Sequence, residues 1–469
     1  MHVPSHSQFR TNLDYTRRKV RLMATVGARR GIHASIAERS WFCNRHPSMD
    51  PRSAAVYLIA TGAIACVLAR PRGLPEAVWA GAGAAVLVLT GLLGWRDALQ
   101  GAGKAADVCL FLSGMMLLSE LARREGVFDW CAALAVKGAR GSPARLFWLI
   151  YGVGVVVTIF LSNDATAVVM TPAVLAAARA ARLQTPLPHL LACALVANAA
   201  SFVLPISNPA NLVLFAGHLP ALGEWLRLFA LPSLMSILVT GGLLYAITRH
   251  SMSGDTLQEG AAPQLTGNGR LALWGIGLSA AGLLTASALG KPLGPPTLAM
   301  AAIALLVAGM RDRRALWEVP RGVPWSVLPL VVGLFVVVEA VEKAGGLAAC
   351  AGALSALARM PGWQGSLAGA CGVTALSNVI NNLPSGLLAG NALAHTPVPA
   401  GLRDALLIGV DLGPNLSVTG SLATLLWLIV LRREGEEVSA WAFLKIGVLV
   451  MPAALLLAVL AATWQSIMS

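Results

Sequence analysis

Four short runs of small polar residues, each set in apolar sequence, carry the chemistry of this chain. Ser162-Asn163-Asp164-Ala165-Thr166 and Asn381-Asn382-Leu383-Pro384-Ser385 form one pair. Ser207-Asn208-Pro209-Ala210-Asn211 and Gly413-Pro414-Asn415-Leu416-Ser417-Val418-Thr419 form the other. Asn, Ser and Thr offer hydrogen-bond donors and acceptors without fixed charge. Pro205, Pro209, Gly413 and Pro414 remove backbone donors or release a helix, so the chain should unwind at the second pair. Unwinding frees N–H groups on one half-helix and C=O groups on the other. Lipid cannot satisfy them, so such breaks survive only where they line a cavity inside protein. The chemistry expected is binding of a small neutral polyhydroxylated solute or a small ion. The substrate set is Asn163, Thr166, Ser207, Asn208, Asn211, Asn381, Asn382, Ser385, Asn415, Ser417 and Thr419. No Arg stands in these runs to grip a carboxylate bidentately. Asp164 and Asp411 are acids within apolar spans, where an acid is costly and functional by default, and both are expected to carry protons.

The rest of the chain must hold these runs at half depth in a bilayer. Of 469 residues, 56% are hydrophobic and 12% charged, about half the charged share of a soluble domain. Apolar runs long enough to span recur at 54–69, 77–94, 108–121, 226–247, 271–289, 297–310, 327–341 and 440–462. The fold expected is an all-α polytopic membrane protein with about 10 transmembrane helices, two re-entrant hairpins and two discontinuous helices. The first hairpin is expected over about 144–182 and the first broken helix over about 188–217, interrupted at 205–211. In the second half the hairpin spans about 363–393 and the broken helix about 402–431, interrupted at 413–420.

Sliding the chain by 219 positions pairs Gly114 with Gly333, Glu120 with Glu339, Gly126 with Gly345, Cys131 with Cys350, Arg140 with Arg359 and Asn163 with Asn382. Two homologous halves are read, 54–248 and 271–465, joined by the hydrophilic linker 249–270. Of 35 Lys and Arg, ten precede Ala54, which leaves 25. With the linker cytoplasmic, seven of these (Arg96, Lys104, Arg227, Lys291, Lys343, Arg359 and Arg403) fall outside and eighteen inside. That bias fits the positive-inside rule and makes the second half an inverted copy of the first. The same topology puts residue 54 outside, where ten upstream basic residues are anomalous. Residues 1–50, polar and without periodicity, read as a disordered basic extension, and the start is expected near Met49.

Several other functions are excluded. The net charge of +13 comes from helix ends and the extension, with no basic stripe or interleaved aromatics for nucleic acid. The seven cysteines show no CxxC or Cys/His cluster, so no metal site or cofactor is expected, and six lie in apolar segments as small hydrophobes. No HExxH or Ser/His pairing suggests an enzyme. Glu120 and Glu339 read as interfacial acids paired with Arg123, Arg124 or Lys343, and Lys104 with Asp107 as an interfacial pair. His189 and His218 read as loop or half-helix-end residues.

The stretches 161–172, 197–211, 377–385 and 411–421 resemble the arsenite/antimonite efflux pumps, the arsenical-pump membrane proteins of the ion transporter superfamily. The likeness runs from about residue 54 to the end. It implies a transport domain moving against a scaffold in the bacterial inner membrane, with arsenite and antimonite as substrates and proton antiport as coupling. It also implies partnership with a soluble arsenite-stimulated ATPase. Arsenous acid is a neutral trihydroxide, which suits a site of Asn, Ser and backbone groups. The absence of clustered thiols suits a carrier that must release trivalent arsenic. A sodium/proton antiporter or a silicic acid carrier of the same superfamily remains open on the residues alone.

Overall fold

The computed structural model describes residues 50–215, 219–253, 257–258 and 264–468. The basic extension up to Met49, the expected start there and His218 lie outside the described residues. Among them are twenty α-helices and no strand. The first ten are α1 (Pro51–Ala69), α2 (Glu76–Leu89), α3 (Trp95–Lys104), α4 (Ala106–Arg124), α5 (Val127–Ala139), α6 (Pro143–Phe160), α7 (Thr171–Ala180), α8 (Leu187–Ala199), α9 (Pro209–Leu214) and α10 (Leu222–Met252). The second ten follow the same order. They are α11 (Gly267–Ala288), α12 (Gly294–Arg311), α13 (Ala315–Gly322), α14 (Val327–Lys343), α15 (Gly346–Ala358), α16 (Gly362–Ile380), α17 (Asn382–His395), α18 (Ala400–Leu412), α19 (Leu422–Arg433) and α20 (Ala440–Met468).

Several helices of the first ten resemble the one ten places on. The bounds of α5 and α15 differ by 219 at both ends. The junction of α3 with α4 bends by 43° and that of α13 with α14 by 41°. Both long helices carry an internal proline, Pro232 in α10 and Pro452 in α20. Packing repeats with the halves exchanged: α2 lies on α14 and α12 on α4, α3 on α14 and α13 on α4, while α10 lies against α20. Such crosswise pairing is what a two-fold relation between the halves would produce.

The glycines that matched across the offset are explained by this packing. A Cβ on Gly114 would sit 2.6 Å from the Thr297 carbonyl carbon, where α4 crosses α12. One on Gly333 would sit 2.8 Å from that of Ala80, where α14 crosses α2. Gly126 and Gly345 take φ of 72° and 92° at the turns from α4 to α5 and from α14 to α15, a conformation that suits glycine. Gly114→Ala and Gly333→Ala are each expected to cost about 1–3 kcal/mol by overpacking. Gly352→Ala, which points into open space inside α15, should leave thermal unfolding in detergent unmoved or raise its midpoint.

Five helices are long and apolar enough to cross a bilayer alone: α6, α10, α11, α12 and α20. Counting each bent pair as one span gives up to seven among the described residues, against the about ten expected. The difference lies in apolar helices of 10–17 residues such as α2, α8 and α15, which lack the length by themselves. Leu58, Leu89 and Met310 present bare apolar faces. Trp95, Trp363 and Trp441 stand exposed at helix starts, where tryptophan marks the bilayer interface. The chain is a multi-pass membrane protein.

Charged side chains brace the helix ends. Arg124 gathers Glu125, Asp312 and Glu318 at the end of α4, and its hydrogen bond holds the Asp312 carboxyl below the usual carboxylate range. Glu120 takes both Nε and Nη2 of Arg123, as its interfacial reading anticipated. Two pairings differ from expectation. Glu339 binds Lys104 at 2.7 Å, while Lys343 binds Asp97 at 3.1 Å. Asp107 does not hold Lys104 but accepts from the Gly294 N–H at 3.0 Å. The α3–α14 contact supplies the partners of Glu339 and Lys343, and the α4–α12 contact that of Asp107, each distant in sequence.

Candidate functional site

The chain leaves the helix at all four polar runs. After α6 it turns at Leu161 and Ser162, then forms a π-helical turn over Ala165–Met170 that leads into α7. Between α16 and α17 one residue makes the turn: Asn381, at φ 78° and ψ 156°. Between α8 and α9 the chain passes through a 3₁₀ turn, Pro205–Ser207, and extended Asn208. Between α18 and α19 it passes through Gly413–Leu416 and extended Ser417. Asn208 and Ser421 then restart the helices as N-caps, accepting from Ala210 N and Ala423 N.

The two broken segments touch each other. Asn208 Nδ2 donates to Asp411 Oδ1 at 2.9 Å, with both side chains buried. Asn198 Nδ2 donates to Asn415 Oδ1 at 3.0 Å and to Thr424 Oγ1 at 3.3 Å, and Asn415 Nδ2 donates to the Leu195 carbonyl at 2.9 Å. The turns in turn hold the breaks. Ser207 Oγ donates to the Ile159 carbonyl at 3.2 Å, and Asn382 N–H donates to the Gly420 carbonyl at 3.0 Å. Asn378, near the end of α16, donates to the Gly413 carbonyl and accepts from Ser417 Oγ, while Thr419 Oγ1 bonds its carbonyl.

The expected substrate set therefore divides by what each side chain is already doing. Asn415 is committed at both ends. Asn211 Nδ2 lies within reach of the Ser201, Leu204 and Pro205 carbonyls freed by the break. Thr166 pairs with Thr158 at 2.8 Å, and Asn381 Oδ1 caps Leu383 N–H at 3.4 Å. Other groups stay open. Asp411 Oδ2, Asn211 Oδ1 and Ser385 Oγ are buried with no hydrogen-bond partner among the described residues. They belong to α18, α9 and α17, which meet where a Cβ on Gly386 would lie 3.5 Å from Val410 Cγ1 and 3.7 Å from the Ala210 carbonyl. Asn163 Oδ1 accepts from Asp164 N–H, and neither the Asp164 carboxylate nor the Asn382 side chain has a hydrogen bond within the described residues. Acceptor oxygens thus dominate what is free.

Asn198, Asn378, Ser421 and Thr424 were absent from the expected set. Asn198 falls opposite Asp411 when α8 is laid on α18, whose bounds differ by 213 rather than 219. That shift was the signal available in the sequence. His189 lies buried in the first turn of α8, its Nε2 3.2 Å from the Pro143 carbonyl.

A cavity of about 640 Å³ opens beside this network. Leu212 and Val213 of α9 and Leu387 and Asn391 of α17 line it, facing Lys104 of α3, Val108 of α4 and Phe335 of α14. Leu212 is next in sequence to Asn211, and Leu387 is two residues beyond Ser385, but Asn211, Ser385 and Asp411 are themselves fully buried and do not line the cavity.

Comparison with known proteins agrees with this picture. The family model described as citrate transporter (CitMHS) matches residues 57–410. The arsenical pump membrane protein of Escherichia coli strain K12 is 26% identical over 401 residues, covering 82% of this chain and 92% of its own length. That of Yersinia enterocolitica is 28% identical over 397 residues, covering 81% and 91%. The solved YdaH transporter of Alcanivorax borkumensis, whose topology is described as unusual, superposes with a TM-score of 0.50 at 16% identity, over 79% of this chain and 86% of that one. The shared fold, the polar breaks and the family match lead to one conclusion: the chain belongs to the citrate transporter (CitMHS) family and is a membrane transporter of the arsenical-pump type.

Proposed function

We propose that this chain expels arsenite and antimonite, as neutral trihydroxides, in exchange for protons across a bacterial inner membrane. One observation carries the reading: the buried Asn208–Asp411 hydrogen bond joins the two breaks and leaves Asp411 Oδ2 unpartnered beside other open oxygens. A carboxylate there can take a proton when substrate leaves and give it up when substrate arrives. The acceptor-rich set suits a solute with three O–H donors. Among the described residues no Arg or Lys hydrogen-bonds to the four breaks, which weighs against a tricarboxylate despite the family's description. The names of the arsenical-pump relatives point the same way.

In this reading α6–α9 and α16–α19 form the moving carrier, inverted repeats of hairpin and broken helix, and the remaining helices the scaffold. The cavity is the outer vestibule, since Lys104 and Lys291 on its wall belong to the segments that charge counting places outside. A soluble arsenite-stimulated ATPase would dock on the cytoplasmic face. The same open oxygens could line a sodium site. Arsenite uptake into everted vesicles under an imposed pH gradient, with and without sodium, separates the two. Sodium-dependent uptake, or none with arsenite, would sink the leading assignment. Asp164→Asn is expected to fold normally, because no hydrogen bond to that carboxylate is lost, and to lose gradient-driven uptake. Full coupled uptake in that variant would remove Asp164 from the mechanism.

A further inference from the structure

Glu342 lies in the last turn of α14, near the cavity rim, with its side chain 20% exposed. Its Oε2 accepts from two directions: Lys104 Nζ of α3 at 3.4 Å and Asn391 Nδ2 of α17 at 3.2 Å. Lys104 is also fixed by Glu339, one turn back on α14, at 2.7 Å. The α3–α14 pair is thus braced internally, and Asn391 reaches onto it from α17. No other side-chain hydrogen bond joins α16 or α17 to α3 or α14 among the described residues. Leu387 and Asn391, one helical turn apart, both line the cavity. The helix that makes the cavity wall therefore carries the fastening.

The repeat makes this contact one-sided. The residues 219 positions earlier are Arg123 in place of Glu342 and Pro172 in place of Asn391. Pro172 has no side-chain donor, and Arg123 is spent on Glu120 of its own helix, Nε to Oε2 at 2.8 Å. No described side-chain hydrogen bond ties α6 or α7 to α4 or α13. The chain could have built the fastening twice and built it once.

We propose that Glu342 is the outer latch of the transport cycle. Its bond to Asn391 holds the second hairpin against the α3–α14 pair while the cavity faces outward. That bond must break before the site can face the cytoplasm. The inference rests on the reading of this chain as an alternating-access carrier. When Asn391 departs, Lys104 still pairs Glu342, so release leaves no stranded charge. A single hydrogen bond to a charged acceptor biases a two-state equilibrium by about tenfold or more. Such a latch holds one state yet opens thermally.

The test uses the full chain with its native cysteines replaced by serine. Glu342→Cys and Asn391→Cys are introduced together and oxidised in everted vesicles. Oxidation is expected to stop arsenite transport and reduction to restore it. Equal transport by the oxidised and reduced pair, or no cross-link in folded protein, would overturn the latch. A second readout needs no substrate: labelling of Leu387→Cys in whole cells by a membrane-impermeant maleimide. Asn391→Ala should slow that labelling about tenfold, and Asn391→Gln should preserve it. Equal rates in all three backgrounds would refute the proposal. If the cysteine-free parent and the reduced pair both fail to move arsenite, the substrate assignment falls while the labelling still decides the latch.

Discussion

Asp411→Asn is expected to stop proton-driven efflux outright while leaving a folded, inserted protein. The asparagine would still offer Oδ1 to Asn208 Nδ2, so the bond that joins the two breaks survives. What disappears is a carboxylate that can gain and lose a proton at the bond joining the two breaks. In everted vesicles, arsenite uptake driven by a pH jump should drop to the level of vesicles lacking the chain. Exchange of labelled for unlabelled arsenite, which needs no net proton movement, should persist. Uptake at the parental rate would show that Asp411 carries no proton. Loss of folded protein would show that its role is packing. Asp411→Glu is a poor alternative because an extra methylene in a fully buried position overpacks it.

The second large effect is expected at Asn415, and it is one of stability rather than transport. Its side chain accepts from Asn198 and donates to the Leu195 carbonyl, with no exposure to solvent. Asn415→Ala removes two buried hydrogen bonds, one to the Asn198 amide and one to the Leu195 carbonyl, a cost of roughly 1–3 kcal/mol. Thermal unfolding in detergent should show a large fall in the midpoint, with little protein recovered in monodisperse form. Asn382→Ala should behave in the opposite way. No hydrogen bond of that side chain would be lost, so the fold should hold and arsenite affinity should weaken. If the two variants unfold alike, the division between framing and open asparagines is wrong.

That division marks the limit of what the chain's residue order could reveal. The breaks were legible because Pro205, Pro209, Gly413 and Pro414 have direct backbone consequences, and extended Asn208 and Ser417 stand within the expected interruptions. The long spans were legible because apolar runs announce themselves: the run at 440–462 lies wholly within α20. Helices α3 and α13 were missed because each mixes charges into a short amphipathic segment, as in Trp95-Arg96-Asp97 and Trp317-Glu318. Those two helices supply Lys104 for Glu339 and Glu318 for Arg124. Hence the misassigned partners of Lys104 and Lys343. Within the site, Asn415 and Asn382 look equivalent in composition. The contacts with Asn198 and Leu195, 217 and 220 residues away, set them apart, and separation along the chain conceals such partners.

The crosswise packing has a consequence for how this molecule comes into being. Helices α2 and α4 find their main partners in α14 and α12, and α9 rests on α17. A ribosome that has released everything through α10 has therefore delivered a half whose best contacts do not yet exist. That intermediate must wait in the bilayer with its unwound segment unmatched, sheltered by the insertion machinery or by lipid-tolerant detours. Assembly is then a late clasping of two incomplete pieces rather than a stepwise growth. Damage to either piece should condemn both to degradation together.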